Sequence, residues 1–158
     1  MKTRRRQQGF SLIELLIVVA IIGIIAAIAT PSLLAARRAA NEASAISAVR
    51  SLSSVEETYR STTGAGLRYA SLADLQAAKL VDTALGSATT AATAKSGYIF
   101  KITLTASETD YCAGAAPVSN SVGARNFSAD MPGVIYIHDL DVANPPTSTA
   151  GGKPLNSQ

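Results

Sequence analysis

An apolar stretch close to the N-terminus constrains this chain more than any other feature of its sequence. Residues 15–29 are apolar or glycine without interruption, and between Phe10 and Ala29 only Ser11 and Glu14 are polar. These 20 residues span about 30 Å as a helix, which matches the hydrocarbon core of a bilayer. The stretch therefore predicts a membrane-spanning helix and argues against a purely soluble globular protein.

Basic residues at the start of the chain predict how this helix is oriented. Lys2, Arg4, Arg5 and Arg6 precede it, and no acidic residue occurs before Glu14. Because basic residues flank membrane helices on the cytoplasmic side, we expect the N-terminus to remain in the cytoplasm. These charges also account for the net charge of +3 of the 158-residue chain, so that the charge does not indicate a nucleic-acid-binding face.

A cleaved secretory signal peptide is an alternative, because it too combines a basic start with an apolar stretch. The tripeptide Ala27-Ile28-Ala29 has the small residues of a typical cleavage site. However, the apolar stretch is longer than usual and continues into a helical pattern beyond Pro31. Cleavage after Ala29 would also remove Glu14 with the signal peptide, and a signal peptide gives no reason for an acidic residue within its apolar stretch.

Glu14 introduces a carboxylate into the apolar stretch, four residues after Phe10. On insertion scales such a side chain costs about 3 kcal/mol at the centre of a membrane helix, so that it usually marks a function or a partner. In a single inserted chain, Glu14 can lie near the cytoplasmic interface and remain hydrated. If the helix leaves the bilayer and packs against copies of itself, Glu14 requires a cation nearby.

Residues 9–31 resemble the N-terminal segment of type IV pilins and their relatives. The shared pattern is a short basic leader, Gly9 followed by Phe10, an acid four residues after Phe10, and Pro31 at the end of the apolar run. The resemblance implies that a prepilin peptidase removes the leader, residues 1–9, by cleaving between Gly9 and Phe10 on the cytoplasmic side. It also implies that Phe10 becomes N-methylated.

The same resemblance implies roles for other residues and a set of partners. Glu14 would pair with the N-terminal amine of Phe10 in a neighbouring subunit, and the helix between Gly23 and Pro31 would be able to unwind within a filament. Pro31 lacks an amide donor and Gly23 has low helix propensity, which permits such unwinding. The implied partners are further copies of the chain, the prepilin peptidase, the pilus assembly platform and the inner membrane. The chain would be single-pass there before it joins an extracellular filament at the cell surface.

Beyond Pro31 the apolar pattern predicts the amphipathic half of one long helix from Phe10 to about Tyr59. The predicted apolar stripe recurs every three or four residues and consists of Ala35, Ala39, Ala43, Ile46, Val49, Leu52, Val55 and Tyr59. The charged residues between them are expected to form a solvated face, and they are Arg37, Arg38, Glu42, Arg50, Glu56 and Glu57.

The rest of the chain predicts a short helix followed by a small antiparallel sheet of three or four strands. Ser71 is placed to cap the short helix, which runs to about Leu80. Alternating apolar residues and turn-forming residues mark the strands. The predicted strands are 97–105, 110–118 and 133–138, with a possible short strand at 126–129.

The predicted fold is α+β and pilin-like, with a long N-terminal helix packed on the sheet. Its parts are a cleaved leader (1–9), an apolar transmembrane and assembly helix (10–30), a globular domain that includes the amphipathic half of the helix (31–143), and an irregular tail (144–158). Many pilins close a C-terminal loop with a disulfide, but Cys112 is the only cysteine of this chain. The C-terminal loop is therefore held by packing, by a metal or not at all. We expect Cys112 to be a buried residue that fills space in the core rather than a reactive thiol.

Catalytic, metal-binding and cofactor-binding sets are not evident in the sequence. His138, Asp139 and Asp141 are the only clustered group, and no nucleophile elbow accompanies them. Asp139, Asp141 and Asn144 carry oxygen ligands of the kind that calcium prefers, but their spacing is too sparse to assign a calcium site. Asn126-Phe127-Ser128 matches the N-glycosylation triplet, which is common by chance. We therefore expect no enzyme activity, no metal and no cofactor.

These features predict a structural subunit of a type IV pilus-like filament, made as a prepilin and polymerised through its N-terminal helix. A pseudopilin of a type II secretion system is the first alternative. The sparse acids near the C-terminus weigh against it, because the major pseudopilins carry calcium-site acids there. A single-pass membrane-anchored binding or enzyme domain that never polymerises is the second alternative.

Overall fold

Helix α1 (Leu12–Thr62) is 51 residues long and includes both the apolar stretch and the amphipathic segment that follows it. The structure is a computed structural model and describes residues 10–131 and 133–157. Its long helix and small antiparallel sheet confirm the predicted α+β, pilin-like fold class. The chain divides into two units, Met1–Ala36 and Arg37–Gln158.

The described part of the first unit consists of the exposed start of α1. Each residue from Phe10 to Ala36 is exposed, although most of them are apolar. An 18-residue window of this helix has a mean hydropathy of 3.0, and within residues 10–131 and 133–157 this is the helix that is long and apolar enough to cross a membrane. The prediction of a membrane-length helix is therefore confirmed in length and composition.

The second unit contains a five-stranded antiparallel sheet with the strand order β1-β2-β3-β4-β5. The strands are β1 (Tyr98–Leu104), β2 (Tyr111–Pro117), β3 (Asn126–Asp130), β4 (Ile135–His138) and β5 (Lys153–Pro154). Two short helices, α2 (Leu72–Ala77) and α3 (Thr83–Gly86), precede the sheet. Ser71 caps α2 through a reciprocal capping box with Asp74, as its position in the sequence predicts.

The core of this unit lies between the C-terminal half of α1 and one face of the sheet. Val49 and Leu52 are fully buried and belong to the same cluster as Phe100 and Phe127 of the strands. The pairing of Phe100 with Ala115, and of Ala115 with Phe127, places a small residue between two aromatic ones. The small residues of β2 therefore leave room for the large side chains of its neighbours.

The buried face of α1 differs from the predicted apolar stripe. Val49 and Leu52 are buried as predicted, but Ala43 is exposed. Glu42 and Glu56, which were expected on the solvated face, are only 7% and 0% exposed. The prediction was wrong here because apolar periodicity does not detect a carboxylate that receives hydrogen bonds from the main chain of a neighbouring loop.

The sheet has one strand more than the three or four that the sequence predicts. The additional strand, β5, lies in the segment that was expected to be irregular, and pairs Pro154 with Tyr136 and Lys153 with Ile137. A two-residue strand is too short to show an alternating pattern in sequence. Its proline is accommodated because β5 is an edge strand, where a missing amide interrupts no further pairing.

Hydrogen bonds and close packing fasten the C-terminal segment without a disulfide. The Asn126 side-chain amide donates to the carbonyl oxygens of Asp141 and Asn144, at 3.0 and 3.1 Å. The Thr149 hydroxyl donates to Asp130 Oδ2 at 2.7 Å. Of the alternatives for holding this segment, the structure shows packing. Cys112 is buried as predicted, and desolvation raises its thiol pKa to about 11.

Candidate functional site

The N-terminal end of α1 holds the residues to which the sequence assigns assembly. Phe10 is 90% exposed, and Glu14 lies in the first turn of the helix. Glu14 Oε2 accepts a hydrogen bond from the Ser11 main-chain N–H at 2.9 Å, and the Ser11 hydroxyl accepts from the Ile13 N–H at 3.4 Å. Gly9, the residue before the expected cleavage point, lies outside the described residues.

This capping contact of Glu14 is a feature that the sequence reasoning missed. The detectable signal was the spacing of Ser11 and Glu14, since serine followed by glutamate three residues later is the pattern of a capping box. A carboxylate at this point also complements the positive end of the helix dipole. Glu14 therefore has a hydrogen-bond partner within its own chain, and its carboxylate is exposed.

The two residues expected to allow unwinding lie within a continuous helix in the single chain. A Cβ added at Gly23 would meet no atom within 4 Å, so no contact demands glycine there. Pro31 lies inside α1 and cannot donate to the Ala27 carbonyl, which removes one helical hydrogen bond. The Thr30 hydroxyl donates to the Ala26 carbonyl at 2.8 Å. Unwinding between Gly23 and Pro31 stays a prediction about the filament.

The apolar surface around this part of α1 is too large for a helix that remains in water. The large apolar side chains from Leu12 to Leu34 are between 47% and 87% exposed. They surround the helix rather than forming one stripe, because none of the residues from Leu12 to Leu34 is buried. Exposed apolar area of this extent marks contact with lipid or with other proteins.

Two buried carboxylates of the second unit act as structural supports. Glu42 accepts hydrogen bonds from the Ala124 N–H at 2.9 Å and from the Arg125 guanidinium at 2.7 and 3.1 Å. Glu56 accepts from the Ala70 N–H at 3.0 Å through Oε2, while its Oε1 is buried without a hydrogen-bond partner among the described residues. Desolvation raises the pKa of Glu56 to about 7, with smaller contributions from the nearby acids Glu57 and Asp74.

The acids near His138 do not assemble into a metal site. The Asn144 side-chain amide donates to Asp141 Oδ2 at 2.6 Å, which uses an oxygen that a cation would need. Within residues 10–131 and 133–157, no group of three or more His, Cys, Asp or Glu side chains is arranged to hold a metal ion.

His138 and Ser128 form a hydrogen-bonded pair that has a structural role. The Ser128 Oγ lies 2.6 Å from His138 Nε2, and Ser128 is fully buried in β3. Burial lowers the pKa of His138, and the neighbouring Asp139 opposes this shift to a smaller extent. A hydroxyl enclosed in the sheet has no room for a substrate, so that the pair fastens β3 to β4.

The possible glycosylation site at Asn126 is closed by the fold. Asn126 is only 1% exposed, and both ends of its side-chain amide are engaged. Its amide nitrogen donates to the carbonyls of Asp141 and Asn144, and its oxygen accepts from the Asp141 N–H at 3.3 Å. A glycan on this nitrogen is incompatible with the folded sheet.

Comparison with known proteins gives one match, at the N-terminus. Residues 4–30 match the family model described as the prokaryotic N-terminal methylation motif. No curated protein and no solved structure matches the chain. The match covers the residues that carry the resemblance noted in the sequence, and it lies on the helix whose apolar surface is exposed. Together with the long helix and the small antiparallel sheet, it shows that the chain carries the signature of the type IV pilins and pseudopilins.

Proposed function

We propose that this chain is a structural subunit of a type IV pilus-like filament, made as a prepilin and polymerised through α1. The observation that carries the proposal is the exposure of apolar side chains all round α1 from Leu12 to Leu34, with one carboxylate at its start. Such a surface suits lipid before assembly and the helices of other subunits afterwards. Pilins as a family are structural proteins and not enzymes.

Processing comes first in this proposal. The chain enters the inner membrane with its basic leader in the cytoplasm, and a prepilin peptidase cleaves between Gly9 and Phe10. Cleavage creates a new amine at Phe10, which is then N-methylated and remains positively charged at neutral pH. The pilus assembly platform then moves the subunit from the membrane to a filament at the cell surface.

Glu14 provides the electrostatic reason for ordered assembly. When α1 leaves lipid for an apolar filament core, both its new amine and the Glu14 carboxylate lose water. Two opposite charges in such a core are tolerated only as a close pair. The carboxylate is exposed, and among the described residues the Ser11 N–H engages one of its oxygens, which leaves it accessible to the Phe10 amine of a neighbouring subunit.

Glu14→Gln is the variant that separates capping from charge pairing. Glutamine keeps an oxygen that accepts the Ser11 N–H, as in a capping box, but it carries no charge. We expect normal membrane insertion and normal cleavage, since insertion is eased when a charge is removed. We expect filament yield in the sheared fraction to fall at least about tenfold, because the neighbouring amine would be buried unpaired at a cost of several kcal/mol. Glu57→Gln, at an exposed acid of the second unit, is the matched control.

Mass spectrometry of the mature N-terminus and electron microscopy of sheared filaments complete the test. A mature chain that begins at Phe10 supports processing as a prepilin, whereas a start after Ala29 would identify an ordinary secreted protein. Normal filament yield from Glu14→Gln would show that Glu14 serves only as a cap. If the wild-type chain is processed and inserted but forms no filaments, the membrane-anchored alternative replaces the proposal.

A further inference from the structure

We propose that Arg37 and Arg38 bind the phosphate groups of membrane lipids on the far side of the bilayer and so set the depth of the subunit before assembly. The inference rests on the proposed function, because it concerns the inserted prepilin or pilin. It adds a ligand, the phosphodiester of a lipid headgroup, and a pair of residues that recognise it.

The position of the two arginines in the chain is the first argument. No charged residue occurs between Glu14 and Arg37. The 20 residues from Leu15 to Leu34 span about 30 Å as a helix, which is the thickness of the hydrocarbon core. Arg37 follows Leu34 by three residues, or about 4.5 Å of helix, so that the pair begins where lipid headgroups begin.

The second argument is that, within the described residues, no acidic side chain neutralises the charge of Arg37 and Arg38. Arg37 and Arg38 are both exposed, and neither forms an ion pair within the part of the chain that the structure describes. The nearest acid along the chain, Glu42, is 7% exposed and its carboxylate is occupied by Arg125 and the Ala124 N–H. The pair therefore presents two unmatched positive charges.

The third argument is geometric. The Arg38 Nε donates to the main-chain carbonyl of Ser121 at 3.3 Å, which holds this guanidinium against the loop between β2 and β3. Among the described residues no hydrogen bond engages its two terminal nitrogens, and a planar guanidinium matches two oxygens of one phosphate. A guanidinium already held in place loses less conformational entropy when it binds a phosphate.

Topology adds a fourth argument. In the proposed orientation these arginines lie on the side opposite the leader, where basic residues near a membrane helix are disfavoured. The four basic residues of the leader outweigh them, so that the orientation is kept. A pair of basic residues at the disfavoured end is explained if they have a ligand there, and lipid phosphates are the anions available at that depth.

Solid-state NMR of the full chain in bilayers tests the proposal directly. The chain is labelled with 13C at the arginine guanidinium carbon, and dephasing by lipid 31P is measured in phosphatidylglycerol and in phosphatidylcholine bilayers. Both lipids have the phosphodiester, so dephasing is expected in both. The Arg37→Gln/Arg38→Gln double variant should lose the part of the dephasing that these residues contribute. Arg50→Gln/Arg68→Gln, which removes two other exposed charges, should keep the wild-type level.

Further samples distinguish lipid phosphate from free phosphate. They also distinguish a failure of the lipid-binding proposal from a failure of the proposed function. In digalactosyl diacylglycerol bilayers, which contain no phosphate, with inorganic phosphate in the buffer, the dephasing should vanish. If it persists there, the arginines bind the free anion and the lipid assignment is overturned. Equal dephasing in wild type and in Arg37→Gln/Arg38→Gln also overturns the lipid assignment. Extraction of the membranes with alkali tests the proposed function separately, and a chain that stays in the bilayer under alkali is consistent with that function. A chain that alkali extracts from the bilayer contradicts the proposed function itself. If the double variant fails to fold, Arg37→Gln alone replaces it, because this variant leaves the contact between Arg38 and Ser121 intact. It should lose part of the dephasing.

Discussion

The Glu42 carboxylate accepts two hydrogen bonds from the Arg125 guanidinium, at 3.1 Å from Nε and 2.7 Å from Nη2. The two residues are 83 positions apart in sequence, and the contact fastens α1 to the loop between β2 and β3. Glu42 also receives the Ala124 N–H, so that its charge is well supported although its side chain is only 9% exposed. The second unit is thus held by polar contacts as well as by its apolar core.

The second unit should fold without the apolar start of α1. Its core and its buried polar pairs lie within residues 37–158, and the continuous run of exposed apolar side chains lies before residue 36. A fragment of residues 32–158 should be a soluble monomer with mixed helix and strand content by circular dichroism. A fragment that stays unfolded in buffer would contradict the description of this unit as self-supporting.

Removing the cation of the Glu42–Arg125 pair should destabilise that fragment. Arg125→Met keeps an unbranched side chain and removes the guanidinium, whose carbon lies 5.9 Å from the centroid of the Phe127 ring. Glu42 then remains buried with one main-chain donor, and we expect a loss of about 2 kcal/mol in the free energy of unfolding. Urea denaturation measures this loss. Arg68→Met is the control, because its pair with Glu108 is exposed and should contribute less than about 0.5 kcal/mol.

The stability of the same fragment should depend on the protonation of Glu56. Its pKa is raised from an ordinary value of 4.5 to about 7 in the folded protein, so between these values the folded state retains a proton that the unfolded state has lost. The contribution of Glu56 to the free energy of unfolding is therefore highest below pH 4.5. It falls as the pH rises from 4.5 to 7 and is constant above pH 7. The difference is about 3 kcal/mol at most.

Glu56→Gln is the variant that isolates this pH dependence. Glutamine still accepts the Ala70 N–H but does not titrate, so the fall in stability between pH 4.5 and 7 should become shallower by up to about 3 kcal/mol. Thermal melts across this range compare the two proteins, and Glu108→Gln, at an exposed acid that is not among the causes of the Glu56 pKa shift, is the control. An unchanged pH profile in Glu56→Gln would mean that Glu56 does not carry the proton.

Gly114 should not tolerate even a methyl group. A Cβ at this position of β2 would clash with the main-chain carbonyl oxygen of Pro146, which is part of the C-terminal segment. Gly114→Ala should displace that segment and cost about 2 kcal/mol by overpacking. Gly23→Ala in the full chain is the matched substitution, since a Cβ there meets no atom within 4 Å. Equal melting temperatures for wild type and Gly114→Ala would contradict the close approach of Pro146.

Deleting residues 147–158 should destabilise the sheet as well. The deletion removes β5, the Thr149 hydrogen bond to Asp130 and the partly buried Leu155. We expect a loss of about 2 kcal/mol and faster amide exchange in β4, whose outer edge becomes unpaired. Thr149→Val should reproduce part of the loss. A truncated protein as stable as the whole would show that the tail is only loosely attached.

The N-terminal helix and its sequence pattern were predictable from sequence because both depend on residues that are close together along the chain. A run of apolar residues long enough for a bilayer predicts its helix without reference to the rest of the fold, and the positions of Gly9, Phe10, Glu14 and Pro31 form a pattern that is read along the chain. Alternation likewise predicted the longer strands, since side chains on one strand face the same core.

Only the tertiary structure decided the buried polar contacts and the C-terminal segment. Glu42 and Glu56 appear in sequence as solvated charges, and they become buried because Arg125 and the Ala70 N–H reach them from loops that are distant along the chain. β5 forms because it pairs with the edge of β4, and this pairing cannot be predicted from Lys153 and Pro154 alone. Local composition determines which segments are helical or apolar, whereas the partners of a buried charge or an edge strand exist only once the chain has folded.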